Sequence, residues 1–429
     1  EWQNPGGDRG LLGGRNWWEG NEEKLQSVRE NYVNTKAIPQ IQELIRLYDP
    51  ALLWFDTPHK LPVSENERIL ASIREASTEI VVNGRLVRGE GDYMNTGDRA
   101  VEFAKIDADW EAIPTTNESY GRNPYDHSHK TPEFLIRVLC KAVSRGGNIL
   151  LNVGPTNTGE IDPVDVAILE GIGKWMDVNS EAIHGCNASP LPPQSWGAIT
   201  SKEKTLYLHV FDWSEGVLEV GGLKSNPTKA TLLTAQSEVP LKWKRISKQD
   251  IAVALPPNPS DNSEATSVVR LEFADVPQGD GDRLLGTRCR NQLLAFDANF
   301  HRGDKSGMSE AGFGFLDGKQ DNYALAKWKY SSQWISWTVR LNEPTSFDVA
   351  LRYGIGMGGQ YELRIGDQTF TKTAPKHKTS RSIPRTATPR IDELGHITLP
   401  AGTHTLELRV MNGNKSKDEV FRPLELFMT

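Results

Sequence analysis

A carboxylate stands at a notable place in the stretch PALLWFDTPHK, residues 50–60. Asp56 follows an apolar run, Ala51–Phe55, that is typical of a strand buried in a parallel sheet. Parallel sheets carry their chemistry at the carboxyl ends of their strands, so this position makes Asp56 a candidate catalytic residue. Asp also favours turns, because its side chain bonds nearby backbone N–H groups. A turn residue before Pro58 therefore remains an open alternative for Asp56.

Other polar residues stand at or after the ends of neighbouring predicted strands, namely Arg85, Glu111 and Asn152. The pattern predicts strands at Ala51–Phe55, Glu79–Asn83, Trp110–Thr115 and Asn148–Val153, and helices at Glu22–Tyr48, Ser64–Ala76, Thr131–Ser144 and Asp162–Val178. Ser64 and Glu67 have the spacing of a capping box. Alternating strands and helices predict a parallel α/β fold whose polar side chains gather at one edge.

The clustering of polar residues at strand ends resembles a TIM-like (β/α)8 barrel. A closed barrel needs eight strands and typically ~250 residues, whereas residues 1–186 supply four strands. We therefore predict that residues 1–186 form the C-terminal half of a (β/α)8-like catalytic barrel, with further strands before Glu1. The first residues, EWQNPGGDRG, show no signal peptide, which fits a chain that begins inside a larger precursor.

The pattern changes after Asn187 to short alternating strands separated by turns. Residues 187–277 are predicted to form an antiparallel β-sandwich, and the polar segment Pro277–Asp282 has the composition of a linker. Residues 283–429 predict a second β-sandwich. The predicted fold class is thus α/β plus all-β.

Composition excludes several classes of protein. The 429 residues are 37% hydrophobic and 24% charged, which is typical of a soluble protein of two or three domains. The net charge of −7 without a basic block disfavours nucleic-acid binding, and no apolar stretch approaches the ~20 residues of a membrane span. Cys140, Cys186 and Cys289 lack metal-site spacing and are interpreted as free thiols, so no metal or other cofactor is predicted.

Four segments carry a resemblance to a known family: LLWFDT, VVNGRLVRGEGDYMNTGD, DWEAIPTTNESYG and GGNILLNVGPTNTGEI. In this order they resemble the α-L-fucosidases of glycoside hydrolase family 29, over roughly the first 275 residues. The last segment is the most specific, since it meets every fixed position of the family stretch G-G-N-x-L-L-N-x-G-P-x-x-x-G-x-I. The resemblance implies the second half of a catalytic barrel followed by a β-sandwich.

The resemblance also assigns roles to three residues. It implies that Asp56 is the catalytic nucleophile, that Trp54 lines the fucose pocket, and that Arg85 contacts the sugar and the carboxylates. Strand alternation, which places Trp54 and Asp56 on one side, agrees with this. Retaining glycosidases need a nucleophilic carboxylate and a second carboxyl group ~5–5.5 Å away that protonates the leaving oxygen. The alternative for Arg85 is a surface residue in a Gly-rich loop.

The second carboxyl group has more than one candidate. Many family members carry G-D-x-x-T-P-E, whose Glu is the proton donor. Here Gly91–Asp98 is one residue longer, and its last two positions are Gly97 and Asp98. Asp98 is placed first, on a loop between strands; Glu111, in a fully matched W-E motif, is the rival, and Glu102 is a weaker third. A turn residue in Thr-Gly-Asp is the remaining alternative for Asp98.

The resemblance implies a retaining exo-α-L-fucosidase that acts on carbohydrate with terminal fucose, secreted or periplasmic. Tyr120 stands where the family has a Trp, so it is a candidate substrate-binding residue. Six basic residues could rim the site and suit sulfated fucans, although scattered charges on a solvated surface are the favoured explanation; they are Arg88, Arg99, Arg122, His127, His129 and Lys130. A catalytically impaired, fucosidase-like glycan-binding protein is the alternative that the Gly97-Asp98 change favours, and a relative acting on α-L-galactosides or sulfated fucose is a further one.

The last domain is a candidate carbohydrate-binding module on fold class alone. Trp328, Trp334 and Trp337 lie close in sequence, and the last two have opposite parity in one strand. One is expected in the core and another as a sugar platform, unless all three belong to the core.

Overall fold

The computed structural model describes residues 30–56, 61–87, 91–213, 216–257, 265–302, 314–317, 323–326, 328, 331–355, 358–376, 389–411 and 421–429. Two compact units make up the chain. The described residues of the first unit lie within 30–95 and 107–111, and those of the second lie within 96–106 and 112–429. The predicted loop at residues 1–20 lies outside the described residues, as does the start of the predicted helix Glu22–Tyr48.

Two helices and a parallel strand pair form the first unit. The helices are α1 (Ile38–Tyr48) and α2 (Val63–Ala76), and the strands are β1 (Leu52–Leu53) and β2 (Val81–Val82). β1 and β2 pair in parallel, joined by α2 as in a β-α-β unit. A cluster of aliphatic side chains fills the space between these elements, including Val33, Ile69, Ile73, Ile80 and Val82. The parallel pairing fixes which ends of β1 and β2 lie side by side.

The start of α2 differs from the capping-box prediction. The residue before the helix is Pro62, and no side chain caps the helix N-terminus. Ser64 lies inside the first turn, so its spacing to Glu67 does not form a capping box. The fixed φ of proline is compatible with the entry to a helix, which accounts for the earlier start.

Two further strands cross the boundary between the units in sequence. They are β3 (Met94–Asp98) and β4 (Trp110–Ile113), and each begins in the first unit and ends in the second. Residues 94–98 were expected to be loop, so that prediction is wrong. Asn, Gly and Asp are depleted in strands, and MNTGD therefore carries little strand signal of its own. Asp98 is the last residue of β3, and Arg99 follows with a left-handed φ of 59°.

Helices and a short strand open the second unit. α3 (Pro132–Ser144) and α4 (Pro163–Asn179) flank β5 (Gly147–Ile149). Both helices have a side-chain N-cap: Thr131 accepts from the N–H of Phe134, and Asp162 accepts from the N–H of Val164. Thr115 and Asn152 form a parallel bridge, which agrees with the predicted parallel α/β arrangement.

The next region has two antiparallel sheets. Its strands are β6 (Gly197–Lys202), β7 (Thr205–Val210), β8 (Gly216–Gly221), β9 (Lys229–Leu233), β10 (Glu238–Pro240), β11 (Trp243–Ser247), β12 (Asp250–Leu255) and β13 (Ser267–Glu272). One sheet has the order β10-β9-β13-β7-β6 and the other β11-β12-β8. A shared core contains Leu208 and Val269 from the first sheet and Leu218 and Val253 from the second. The two sheets therefore pack face to face.

Residues 277–282, expected to be a linker, are bound to this region by backbone hydrogen bonds. The N–H of Asp280 donates to the C=O of Gly222 over 2.7 Å, and Leu223 bridges Gly279. These contacts attach the predicted linker to the region that precedes it. The composition PQGDGD hides this, because Gly and Asp are as common in tight contacts between loops as in linkers.

The remaining strands form the last region. They are β14 (Arg283–Leu284), β15 (Asn291–Leu294), β16 (Asn299–Arg302), β17 (Gly314–Asp317), β18 (Tyr323–Ala326), β19 (Gln333–Leu341), β20 (Thr345–Ile355), β21 (Gly359–Ile365), β22 (Gln368–Ala374), β23 (Arg390–Leu399), β24 (Gly402–Val410) and β25 (Phe421–Met428). The sheet β14-β19-β24-β21-β22, with β16 on β19, and the sheet β15-β25-β20-β23 enclose one core. β17 and β18 form a separate two-stranded sheet.

The three tryptophans of this region do not offer a free ring face. Trp328 and Trp337 are buried in the core. Trp334 stacks on His301 with ring centroids 3.6 Å apart, and the guanidinium of Arg409 lies 4.1 Å from its centroid. His301 and Arg409 come from the strands on either side of β19, so the two faces of Trp334 are covered. The expected sugar platform is not at any of these three residues.

Candidate active site

Asp56 and Arg85 meet at the carboxyl ends of the two parallel strands of the first unit. Asp56 follows β1, Arg85 lies in the turn after β2, and Arg85 Nη1 donates to Asp56 Oδ1 over 2.7 Å. The Asp56 side chain is 54% exposed and that of Arg85 is 20% exposed. The carboxylate is thus accessible to a ligand while one of its oxygens is held by a cation.

Asn83 positions the backbone next to Asp56. Its Oδ1 accepts from the N–H of Phe55 and its Nδ2 donates to the C=O of Phe55, each over 2.8 Å. Asn83 is fully buried, so these two bonds replace ladder bonds where the short strands end. The residue before Asp56 is therefore fixed by a side chain of the next strand.

Trp54 joins this pair to Glu111. The Arg85 guanidinium lies 5.0 Å from the centroid of the Trp54 ring, within the range of a cation–π contact. Trp54 Nε1 donates to Glu111 Oε1 over 2.9 Å, and Asn95 Nδ2 donates to the same oxygen over 2.9 Å. Trp54, Asp56, Arg85 and Glu111 are consequently one connected group in the first unit.

The residues around Glu111 are partly shielded from solvent. Burial, together with the negative charge of Glu111, raises the pKa of Tyr93 to about 12. Tyr93 follows Asp92, whose carboxylate accepts from Arg74 and from the N–H of Val82. These contacts hold the entry to β3 against β2.

A close backbone approach explains the glycines near this group. A Cβ on Gly91 would lie 2.4 Å from the Cα of Gly84. The backbone at Gly84 and the backbone at Gly91 could therefore not approach each other this closely if residue 91 carried a side chain. This contact keeps the turn that carries Arg85 next to the segment that leads into β3.

The other two candidate residues, Asp98 and Tyr120, belong to the second unit. The side chain of Asp98 is exposed at the end of β3. The hydroxyl of Tyr120 donates to the C=O of Ile113 over 3.3 Å, and the Arg99 guanidinium lies 5.1 Å from its ring centroid. Arg99, which follows Asp98 in sequence, thus contacts the ring of Tyr120.

Glu102, the third candidate proton donor, does not fit that role. Its side chain is buried and forms an ion pair with Lys141. Burial raises the pKa of Glu102, and Lys141 opposes this effect. Its contacts are those of a structural ion pair rather than of an accessible acid.

The Gly146–Ile161 motif acts through the backbone around Tyr120. Asn152 Nδ2 donates to the C=O of Tyr120 over 2.7 Å, and the N–H of Asn152 donates to the C=O of Pro114 over 2.9 Å. A Cβ on Gly154 would lie 2.5 Å from the N of Arg122, which accounts for that glycine. The most specific motif in the sequence therefore fixes the backbone on both sides of Tyr120 in the second unit.

The basic rim is largely neutralised by acids. Arg122 lies 3.7 Å from Asp162, His129 3.6 Å from Asp165, and Lys130 3.3 Å from Glu118. Arg88 lies outside the described residues. These pairs favour the alternative of scattered, partnered surface charges.

Sequence reasoning missed Asn83, Tyr93 and Asn95 as parts of the site. Asn83 had a signal, because it opens the N-x-R segment at a strand end, but its contacts were not foreseen. Tyr93 and Asn95 lie in residues that were expected to be loop. Within the described residues, no group of three or more His, Cys, Asp or Glu could hold a metal ion, and no helix has the length and apolarity to cross a membrane.

A family model for α-L-fucosidase matches residues 14–181, the segment that contains every candidate residue above. This segment is therefore similar in sequence to the α-L-fucosidase family. Tissue α-L-fucosidase of Bos taurus is 33% identical over 231 residues, which are 49% of this chain and 48% of that protein. The chain spans about half the length of the curated relatives that it matches.

Solved structures of fucosidases share the fold. The crystal structure of the α-L-fucosidase from Vibrio sp. strain EJY3 matches with a TM-score of 0.70 at 23% identity, over 93% of this chain and 70% of that chain. A family 29 α-L-fucosidase from Bacteroides thetaiotaomicron, trapped as a covalent intermediate, matches with a TM-score of 0.52 at 25% identity, over 58% of this chain and 62% of that chain. The mixed α/β fold with β-rich regions is therefore that of family 29 fucosidases.

Proposed function

We propose that the full-length protein is a retaining exo-α-L-fucosidase with Asp56 as its nucleophile. The observation that carries this proposal is the contact of Arg85 with Asp56 beside Trp54 and Glu111, inside a segment of the α-L-fucosidase family. Retaining glycoside hydrolysis needs a nucleophilic carboxylate and a second carboxyl group, and here a cation and an aromatic face lie beside them.

The reaction proceeds in two displacements. An oxygen of Asp56 attacks C1 of a terminal fucose, the bond from C1 to the leaving oxygen breaks, and a carboxylic acid gives that oxygen its proton. The resulting carboxylate then takes a proton from water, and the hydroxide oxygen displaces Asp56 from C1. Arg85 binds Oδ1 of Asp56, and we assign the attack to Oδ2.

Two carboxyl groups compete for the role of proton donor. The assignment of Asp98 as proton donor is based on the order of the motifs in the sequence. Glu111 has in addition a contact with the nucleophile's group, because Oε1 of Glu111 accepts from Trp54 and Asn95. These two N–H donors fix the carboxyl plane and leave Oε2 to carry the transferable proton. The contacts therefore favour Glu111 over Asp98.

The architecture of the catalytic part remains a proposal as well. We propose that residues 1–186 correspond to the second half of a (β/α)8-like barrel, supported by the parallel pair β1–β2 and the parallel bridge Thr115–Asn152. Residues 187–277 and 283–429 would be two β-sandwich domains. Carbohydrate with terminal α-L-fucose, sulfated fucans included, is the proposed substrate class, and a secreted or periplasmic location is proposed from the family.

The decisive experiment removes the nucleophile in the full-length protein. Asp56→Ala is expected to abolish release of the aryl group from an aryl α-L-fucoside, and azide is expected to restore turnover as β-L-fucosyl azide. Asp107→Ala removes another exposed carboxylate of the first unit and serves as the matched control. An Asp56→Ala enzyme with unimpaired turnover contradicts the proposal, and a wild-type protein that binds fucosides without hydrolysis supports the glycan-binding alternative.

A further inference from the structure

A cavity lies in the second unit, and none of Trp54, Asp56, Arg85, Asp98, Glu111 and Tyr120 lines it. Its volume is about 440 Å³, which is within the range of small-molecule sites. Its walls are the end of α3, the segment 188–199 before and within β6, and residues 279–283. The backbone contacts of residues 277–282 hold one of these walls in place.

Arg283 is the feature of this cavity that structure alone does not explain. It lines the cavity but is only 7% exposed, and within the described part of the chain its Nε has no hydrogen-bond partner. Burial lowers the pKa of Arg283 to about 10; Asp297 opposes this effect and Arg145 adds to it. A buried cation outside an ion pair costs folding free energy, so its place in the wall of a cavity points to an anionic ligand.

The carboxylates of the cavity are already paired with other cations. Asp297 accepts from both terminal nitrogens of Arg145 over 2.6 and 2.8 Å. Glu102 pairs with Lys141, and Asp280 lies 3.1 Å from Lys224. Among the described lining residues, Arg283 and the exposed Lys105 are the basic side chains outside these pairs. The cavity therefore carries an excess of positive charge.

We propose that this cavity is a second binding site that takes one oxyanion group, with Arg283 as its counter-ion and Lys105 at its rim. A planar guanidinium suits the paired oxygens of a sulfate half-ester or a carboxylate. That a saccharide carries this oxyanion rests on the proposed fucosidase function, whereas the oxyanion site itself does not. The occupant is an acidic sugar, for example a sulfated fucose residue of the same glycan on which the active site acts.

The experiment measures binding to the full-length Asp56→Ala protein, so that turnover does not interfere. Sodium sulfate, methyl α-L-fucoside sulfate and glucuronate are titrated by calorimetry, and thermal unfolding is followed against sodium chloride of equal ionic strength. Neutral methyl α-L-fucoside reports binding that needs no oxyanion. Arg283→Met is expected to weaken oxyanion binding at least tenfold, as for loss of a charge-assisted hydrogen bond. Arg364→Met, which removes a half-exposed guanidinium of the last region, is the matched control and keeps full affinity.

The stability of the variants separates a binding residue from a structural one. Without ligand, Arg283→Met is expected to unfold at a higher temperature than the parent, because it removes an incompletely satisfied buried charge. A lower unfolding temperature together with unchanged sulfate affinity would overturn the proposal. If Arg283→Met does not fold, Lys105→Glu decides, because this exposed residue can be changed without loss of packing and should weaken sulfate binding at least threefold.

The remaining outcomes are equally defined. Absence of binding by sulfate, by the sulfated fucoside and by glucuronate overturns the site, whatever the catalytic activity of the protein. Binding of free sulfate that the sulfated fucoside does not improve overturns the saccharide as occupant and keeps the oxyanion site. A wild-type protein without fucosidase activity but with Arg283-dependent sulfate binding contradicts the proposed function alone.

Discussion

Arg85 Nη1 lies 2.7 Å from Oδ1 of Asp56, although 29 positions separate the two residues in the sequence. The parallel pairing of β1 with β2 produces this contact, since it brings the ends of both strands to the same edge. Asn83 strengthens the arrangement by binding both backbone groups of Phe55. The orientation of Asp56 thus depends on the strand that follows it in sequence.

Replacement of Arg85 tests this dependence. Arg85→Met is expected to lower kcat/KM for an aryl α-L-fucoside by about 10- to 150-fold, the equivalent of a lost charge-assisted hydrogen bond of roughly 1.5–3 kcal/mol. The loss of kcat/KM is expected near the lower end of this range, because the side chain of Asp56 is half exposed. Arg85→Lys should retain part of the activity, since it keeps the charge and loses the planar fork. Arg46→Met, at an exposed helix position of the same unit, is the control, and an equal loss in both variants would contradict a specific role for Arg85.

The proton donor can be identified from the leaving group. Glu111→Gln keeps an oxygen that accepts from Trp54 and Asn95, but it cannot give a proton. We expect a loss of about 10²–10⁴ in kcat/KM for methyl α-L-fucoside, the usual contribution of general acid catalysis, and a much smaller loss for 2,4-dinitrophenyl α-L-fucoside. Asp98→Asn is the paired variant and should leave this ratio unchanged. If Asp98→Asn instead shows the much larger loss with methyl α-L-fucoside and Glu111→Gln leaves the ratio unchanged, Asp98 is the proton donor.

The sequence predicts the local elements better than the contacts between them. The position of β1 was foreseen from the apolar run before Asp56, but the strand covers only Leu52–Leu53 of the predicted Ala51–Phe55; α3 begins one residue after the predicted start at Thr131. The contact of Trp54 with Glu111 joins residues 57 positions apart, and no local pattern encodes it. β3 escaped prediction because MNTGD has weak strand propensity and gains its order from pairing.

Arg283 illustrates a second limit of sequence reasoning. Arginine is mostly exposed in proteins, so DRLLG reads as the polar start of a domain followed by core residues. Its burial arises because β14 pairs with β19 and because residues 277–282 pack beside it. Only the tertiary arrangement distinguishes this arginine from a surface one.

A buried histidine gives the protein a predictable response to pH. His209 is fully buried, with Nδ1 3.3 Å from the sulfur of Cys140 and Nε2 3.0 Å from the hydroxyl of Thr200. Burial lowers the pKa of His209 from 6.5 to about 3, and the backbone of Ala182 opposes this effect. The unfolded chain binds a proton below pH 6.5 and the folded chain does not, so the free energy of unfolding falls as the pH falls from about 6.5 towards 3.

The size of this effect follows from the shift. Between pH 6.5 and pH 5, His209 should remove about 2 kcal/mol from the free energy of unfolding. The side chain of the His209→Gln variant cannot titrate. Between pH 7 and pH 5 this variant should therefore lose about 2 kcal/mol less of its free energy of unfolding than the wild type, as measured by denaturant unfolding. His404→Gln is the control, since His404 is a partly exposed histidine of the last region. Equal losses in His209→Gln and the wild type would contradict the prediction.

A buried ion pair between two β-rich regions supports the last prediction. Both terminal nitrogens of Arg340 donate to Asp250, over 2.7 and 2.6 Å, and Asp250 is fully buried. Burial raises the pKa of Asp250, but hydrogen bonds from Arg340, Ser247 and the N–H of Gly222 outweigh burial, so the pKa lies below its ordinary value. The pair's contribution is therefore fully present above about pH 4 and is lost only in stronger acid.

Removal of one partner should cost more than removal of both. Arg340→Met leaves a buried carboxylate without its cation, and we expect a loss of about 3–5 kcal/mol in the free energy of unfolding at pH 7. The double variant Asp250→Leu/Arg340→Met removes both charges and should recover most of that loss, because the desolvation cost disappears together with the attraction. Denaturant unfolding of the wild type, both single variants and the double variant measures the coupling. Additive losses in the double variant would mean a coupling energy near zero and would contradict the prediction.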